Sequence, residues 1–322
     1  MPPTARQCDT MHGFLNIDKP AGITSHDVVA RVRRLAGQRR VGHAGTLDPL
    51  ATGVLVVALG GATRLIEYVQ NETRKRYLAV VRLGVTTATD DAEGAPLAER
   101  PVPPLAAGDI ERTLAGFRGE IMQTPPAYSA LHLQGHRLYD LARAGVAVDI
   151  PPRPVIIEQL HLVRWEPPLL TLDIACGKGT YIRSLARDIG AALGCGGHLA
   201  ALRRTAVGPF RIEDAVALDL LEGASGKAEG RGRGDDSSFT APLLRAFLPA
   251  VLQPPEAAVA DWPRADLDAA AARRVRNGLP LALPGLSGDR ARAHGPDGSL
   301  LALLRRADDA WKPEKVFSFG DG

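Results

Sequence analysis

Cysteine is scarce in this sequence: Cys8, Cys176 and Cys195 are the only three among 322 residues. None stands in CxxC spacing, so neither a disulfide framework nor a zinc site is supported. The histidines form no HExxH motif. No GxGxxG follows a strand-like run, so the dinucleotide-binding fingerprint is absent. Gly177-Lys178-Gly179-Thr180 has the look of a phosphate loop, but position 172, where that loop needs a glycine, is Leu. The expectation is a reaction that uses neither cofactor nor metal. The longest apolar run, Gly53 to Leu59, is far too short to cross a bilayer, and the first residues hold no apolar signal core. A cytoplasmic protein with no membrane partner is expected. Aromatic residues make up only 5% of the chain, so each Tyr, Phe or Trp carries weight.

What is present is ordinary core-forming material, 45% hydrophobic and 23% charged, with a formal charge of +3. The positive charge is clustered. Arg31, Arg33, Arg34, Arg39 and Arg40 lie close together, as a polyanionic partner such as nucleic acid requires, or as a solvated helix face.

The pattern of elements predicts an α+β fold with a mixed, largely antiparallel sheet and flanking helices. Gly13 to Asp18 reads as a short strand. Thr24 or Ser25 caps a helix with an apolar stripe at Val28, Val29, Val32 and Leu35, ended by Gly37. Val41 to Thr52 is a loop feeding the apolar strand Gly53–Leu59, and another strand runs near Arg76 to Val85. Gly223 to Ser238 is rich in Gly, Ser and charge, and reads as a flexible insertion. Leu267 to Val275 suits a short helix ending at Asn277-Gly278, and Pro296-Asp297-Gly298 suits a turn between strands. Three units are expected: a loose tail at 1–12, a large unit at 13–250 and a small β-rich unit at 251–322.

The most informative run is GHAGTLDPLATGVL, from Gly42 to Leu55. Its glycines let a ligand approach the backbone, and Asp48 sits before a proline that fixes the chain. Taken alone, Asp-Pro in such a loop is a simple turn. The run resembles the catalytic motif of the bacterial tRNA pseudouridine-55 synthases, the TruB family. Further motifs follow in order: Gly13-Phe-Leu-Asn-Ile-Asp-Lys19-Pro20 with Gly22, Thr24 and Ser25; Lys75-Arg76-Tyr77; Tyr128-Ser129-Ala130-Leu131 with Gly135; Gly179-Thr-Tyr-Ile-Arg183-Ser-Leu185; and Leu202-Arg203-Arg204. The C-terminal unit, with Asn277-Gly278 and Lys312-Pro-Glu-Lys-Val-Phe317, resembles the family's PUA-like RNA-binding tail. His132 stands where the family has lysine, and the insertion at about 223–240 has no counterpart.

The resemblance implies a chemistry. Uridine 55 in the T loop of tRNA is flipped out, its N1–C1′ bond is broken, and C5 is joined to C1′. It implies Asp48 as nucleophile, Tyr77 against the uracil with a part in proton transfer, and Arg183 as the guanidinium that keeps Asp48 ionised. Tyr181 and Leu202 would wall the base, His43 would replace the flipped nucleotide in the RNA stack, and Lys19 would support the pocket. Arg203, Arg204 and the Arg31–Arg40 strip would contact phosphates, with an RNA-binding insertion at about 120–150 whose Gly135 and Gly145 act as hinges. By itself Arg183 reads rather as an exposed helix residue paired with Asp188 or with the neighbours of Arg187. The expected partner is the tRNA T stem-loop alone, met by a monomer with no obligatory protein partner. The rivals are a non-catalytic RNA-binding protein, a guide-RNA-dependent synthase, and a glycosidase, which needs a second catalytic carboxyl.

Overall fold

The computed structural model describes residues 10–129, 132–133, 136–138, 148–223 and 248–319. Among them, eleven strands form one sheet and four form another. From one edge, the large sheet runs Val216–Ala217, Gly13–Lys19, Thr52–Leu59, Gly197–Val207, Lys75–Leu83, Leu169–Cys176, Arg153–Glu166 and Gly119–Gln123. Its pairings are antiparallel except that Gly13–Lys19 lies parallel to Val216–Ala217, and Thr52–Leu59 parallel to Gly197–Val207. This is the mixed α+β sheet that the sequence predicts.

The continuous apolar run at 53–59 has a physical reason. Leu55, Val57 and Leu59 pack into one core, while Val54, Val56 and Ala58 pack into a second on the opposite face. A strand covered on both faces has no polar alternation. The second core includes Phe14, Tyr68 and Phe210 of the large unit and Leu300, Leu303 and Phe317 of the small one. Each large side chain buried there contributes about 1.5–3 kcal/mol. Arg290 of the small unit completes the junction, lying 5.8 Å from the Tyr68 ring and 5.2 Å from the Trp262 ring, and pairing with Glu72.

The helix Ser25–Ala36 is capped by Thr24, whose hydroxyl accepts from Asp27 N while Asp27 returns a bond to Thr24 N. Gly37, left-handed at φ 62°, ends it. Thr24 is thus the cap, and Ser25 is buried for another purpose. In the small unit, Asp268 caps the helix Ala269–Arg276, so Leu267 falls outside it and donates its N–H to the His294 carbonyl. Asp297 accepts from Ser299 in the turn between Arg290–His294 and Leu300–Ala307. Leu252–Gln253 pairs with Phe14–Leu15 in the large sheet, so the strands of the small sheet begin at Arg264.

Of the segment read as a tail, Met11 exchanges two hydrogen bonds with Gln38, and His12 Nδ1 accepts from Gly61 N. The Gly- and Ser-rich insertion beyond Gly223, and the expected hinges Gly135 and Gly145, lie outside the described residues. His132 is described only as part of a two-residue ladder, His132–Leu133 with His136–Arg137. Among the described residues, no helix is long and apolar enough to cross a membrane, and no cluster of His, Cys, Asp or Glu could hold a metal ion.

Candidate active site

The loop between Val41–His43 and Thr52–Leu59 is held by backbone satisfaction rather than by regular structure. Ser25 Oγ accepts from Leu47 N at 2.8 Å and donates to the Leu47 carbonyl at 3.1 Å. Ala51 N closes a turn on the Asp48 carbonyl, and the Pro49 carbonyl accepts from Gly22 N. Arg204, only 1% exposed, donates to the carbonyls of Val54, Gly45 and Thr46 at 2.7, 3.0 and 3.4 Å. Gly53 is obligatory in this arrangement: its φ is +97°, and a Cβ there would lie 2.2 Å from the Arg204 carbonyl.

Asp48 stands on this loop at the wall of a cleft of about 840 Å³. Arg183 Nε lies 3.0 Å from Asp48 Oδ2, the arginine side chain 8% exposed and the carboxylate 38%. Arg183 Nη1 lies 3.6 Å from Asp91 Oδ2. The guanidinium also donates to the Thr89 and Tyr128 carbonyls at 3.1 and 2.9 Å. Arg183 is therefore not an exposed helix residue paired with Asp188. Arg187 takes that partner instead.

Tyr77, Tyr181 and Leu202 line the same cleft. Burial pushes the Tyr77 phenol up to about 12, against an opposing influence from Arg204, which also bonds its oxygen. Burial therefore keeps the phenolic proton on near neutral pH, while the Arg204 guanidinium at its oxygen favours the proton's loss. Tyr181 is held by a reciprocal pair of bonds to Gln123, at 2.8 and 3.1 Å, and by Arg153 over its ring at 5.2 Å.

Three predicted residues do not line this cleft. Lys19 is 0% exposed and does not line the cleft; its Nζ donates to the carbonyls of Ile23, Pro20 and Pro49 at 2.7, 2.9 and 3.3 Å. Its donors are used, so it braces the loop beside Asp48 rather than touching a substrate. Burial lowers its pKa to about 8, with Asp48 pulling the other way. Arg203 points away from the cleft and pairs with Asp18 at 2.8 Å. His43 packs edge-on against His26, a cleft residue, with ring centroids 5.3 Å apart.

Arg204 was expected among the phosphate contacts, and its burial rules that out. The signal was in the alternation: Arg204 shares a strand face with the buried Leu202, while Arg203 takes the other. Asp90, Asp91 and Glu93 were missed altogether. They sit on the loop between Val85–Thr87 and Pro96–Glu99, where no motif marks them.

His43 gives a pH prediction. Burial, then His26 and Arg204, lower its pKa from 6.5 to about 4. Between those values the unfolded chain binds the extra proton and the folded one does not, so stability rises with pH across that window. The difference in unfolding free energy between pH 7 and pH 5 is expected to shrink in His43→Gln. A ring resonance of His43 titrating near 6.5 in the folded protein would contradict this.

The description "TruB family pseudouridylate synthase (N terminal domain)" matches residues 33–182. "tRNA pseudouridylate synthase B C-terminal domain" matches 183–260, and "tRNA Pseudouridine synthase II, C terminal" matches 262–318. The chain belongs to the TruB family of pseudouridylate synthases. Relatives named tRNA pseudouridine synthase B include that of Thermobifida fusca, 44% identical over 95% of this chain and 98% of its own. That of Dehalococcoides mccartyi strain CBDB1 is 43% identical over 95% and 97%. The Gloeobacter violaceus protein is 54% identical over 66% and 73%. Among solved structures, a chain of a Cbf5-Nop10-Gar1 complex matches with TM-score 0.69 and 29% identity, over 95% of this chain and 85% of that one. A chain of an H/ACA RNP bound to a substrate RNA containing 2′-deoxyuridine matches at 0.68 and 28%, with the same coverage. Family membership and fold are thus as the sequence motifs implied.

Proposed function

We propose that the protein is a tRNA pseudouridine-55 synthase, an isomerase that acts as a cytoplasmic monomer on the T stem-loop of tRNA. One observation carries the reading: a half-exposed carboxylate, Asp48, held 3.0 Å from the buried Arg183, opens into a cleft walled by Tyr77, Tyr181 and Leu202. The family's relatives named tRNA pseudouridine synthase B support the same substrate.

The isomerisation breaks N1–C1′, turns the uracil, makes C5–C1′ and exchanges the C5 proton for one on N1, with no net change in oxidation state. It needs negative charge close to C1′ and a dry, walled site in which the freed base can rotate. Asp48 supplies the carboxylate. Arg183 sets a guanidinium 3.0 Å from it, so its negative charge has a partner inside the cleft. Tyr77 lies against the uracil with its proton in place, and Tyr181 and Leu202 confine the ring. Extraction of the base costs a few kcal/mol, met by stacking and phosphate contacts. The exposed Arg33, Arg34, Arg39 and Arg40 suit those contacts. Arg203 joins them by exchanging Asp18 for a phosphate, and His43, behind His26, fills the gap left in the RNA stack. Residues 13–250 carry the catalysis and 251–322 form the PUA-like RNA-binding unit.

The test is an unmodified tRNA transcript incubated with the protein, without cofactor, metal or added protein. Pseudouridine at position 55, absent when that uridine is replaced by cytidine, is expected. A folded protein that binds the transcript and makes no product would overturn the reading. The Cbf5-containing structures are of multi-protein assemblies, so product that appears only with a guide RNA and added proteins would instead support a guide-dependent synthase. Arg183→Ala is expected to lower kcat about a hundredfold or more while tRNA affinity changes little. Equal losses in both would make Arg183 a binding residue only.

A further inference from the structure

The helix Ile182–Ala192 carries two arginines one turn apart, Arg183 and Arg187, on the same face. They meet two consecutive carboxylates on the loop opposite. Asp91 faces Arg183 at 3.6 Å, and Asp90 Oδ2 accepts from Arg187 Nη1 at 2.9 Å. Asp90 adopts a left-handed backbone, φ 60°, uncommon for a residue with a side chain. The loop has little freedom to change this, because Leu199 N donates to the Asp90 carbonyl and Ala92 N to that of Leu199. Arg187 Nε also bonds Asp188 at 2.8 Å, and its Nη2 donates to the Thr124 carbonyl at 2.9 Å.

The balance of charge in this cluster is tight. Asp48, Asp90, Asp91 and Asp188 share two guanidiniums. The Asp90 side chain is 16% exposed, too buried to rely on water. Arg183 also acts on Asp90 electrostatically. A carboxylate left buried without a partner turns to the nearest cation, and for Asp90 without Arg187 that cation is Arg183. Asp48 is the most exposed member of the Arg183 pairs, and so the one most easily given up.

We propose that Arg187 is a positioning residue for the reaction: by occupying Asp90 and Asp188 it keeps Arg183 committed to Asp48. The inference rests on the reading of Asp48 as the catalytic carboxylate. Arg187 touches no substrate, and its effect passes through the geometry of one ion pair.

Competition has a signature that simple loss of structure lacks. Arg187→Ala is expected to lower kcat by about tenfold to a hundredfold, as misplacement of a catalytic group does, with KM for tRNA within about threefold. Adding Asp90→Asn, which removes the competitor, is expected to restore kcat to within about threefold of wild type. Arg187→Lys, which keeps the charge, should lie close to wild type. A crystal structure of Arg187→Ala reads the same claim without turnover: the separation of Arg183 from Asp48 should open from 3.0 Å to beyond about 4 Å. An unchanged separation, or a double variant no faster than Arg187→Ala, would overturn the proposal. Wild-type protein that makes no pseudouridine while Arg187→Ala opens the pair would instead strike at the proposed function and leave the positioning intact.

Discussion

Asp48→Asn is expected to abolish pseudouridine formation, by about three orders of magnitude or more, while tRNA affinity stays within about threefold. The amide has the shape of the carboxylate but neither its charge nor its nucleophilicity. The loop does not depend on the lost group. Leu47 is held by Ser25, the turn closes on the Asp48 main-chain carbonyl, and Gly45, Thr46 and Val54 are held by Arg204. The arginines proposed to meet phosphate lie elsewhere, on and after the helix Ser25–Ala36. Single-turnover assay of labelled transcript, paired with filter binding, separates the two quantities. Residual turnover within tenfold of wild type would remove Asp48 from the chemistry. A parallel collapse of binding would make it a contact for RNA instead.

The second large effect is on stability. Arg204→Ala is expected to cost about 3–5 kcal/mol of unfolding free energy. A fully buried guanidinium leaves a cavity when removed, and it leaves three main-chain carbonyls with unused acceptor capacity in a water-poor site. Arg204→Lys should recover only part of the loss. An ammonium is a point donor, and three carbonyls on different sides of the loop match the planar fork better. Urea unfolding followed by circular dichroism measures this directly. A midpoint shift worth less than about 1 kcal/mol would show that the loop holds itself. Because Arg204 also bonds the Tyr77 oxygen, the surviving folded fraction of Arg204→Ala should turn over slowly as well.

Much of this was legible in the residues, and what was not has identifiable causes. The helix at 25–36 announced itself through its valine stripe, its cap and Gly37, which are local signals. The strand at 53–59 was visible as an apolar run, though not the reason for it, since two cores meeting on one strand leave no periodic trace. Arg183 and Asp48 are far apart in the chain, and spacing alone favoured the nearby Asp188 as partner; only the order of family motifs brought them together. Arg204 was misread because a pair of adjacent arginines suggests a basic surface, whereas a strand sends neighbours to opposite faces. Lys19 was expected to support the pocket, and its contacts are those of a buried brace for the loop beside Asp48. The loop bearing Asp90 and Asp91 gave no sign, because its role comes from the helix facing it and from one left-handed residue.

The strand that follows the Asp48 loop is sealed on one side by side chains from the far end of the chain. Leu300, Leu303 and Phe317 roof the hydrophobic layer in which Val54, Val56, Phe14 and Phe210 lie. The C-terminal sheet is therefore a structural keystone as well as the proposed RNA-binding unit. Cutting the chain after the large sheet would strip that roof, expose an apolar surface next to the Asp48 loop and invite aggregation. Loss of activity in such a truncated protein would report a damaged foundation, and would say little about how its tail reads RNA.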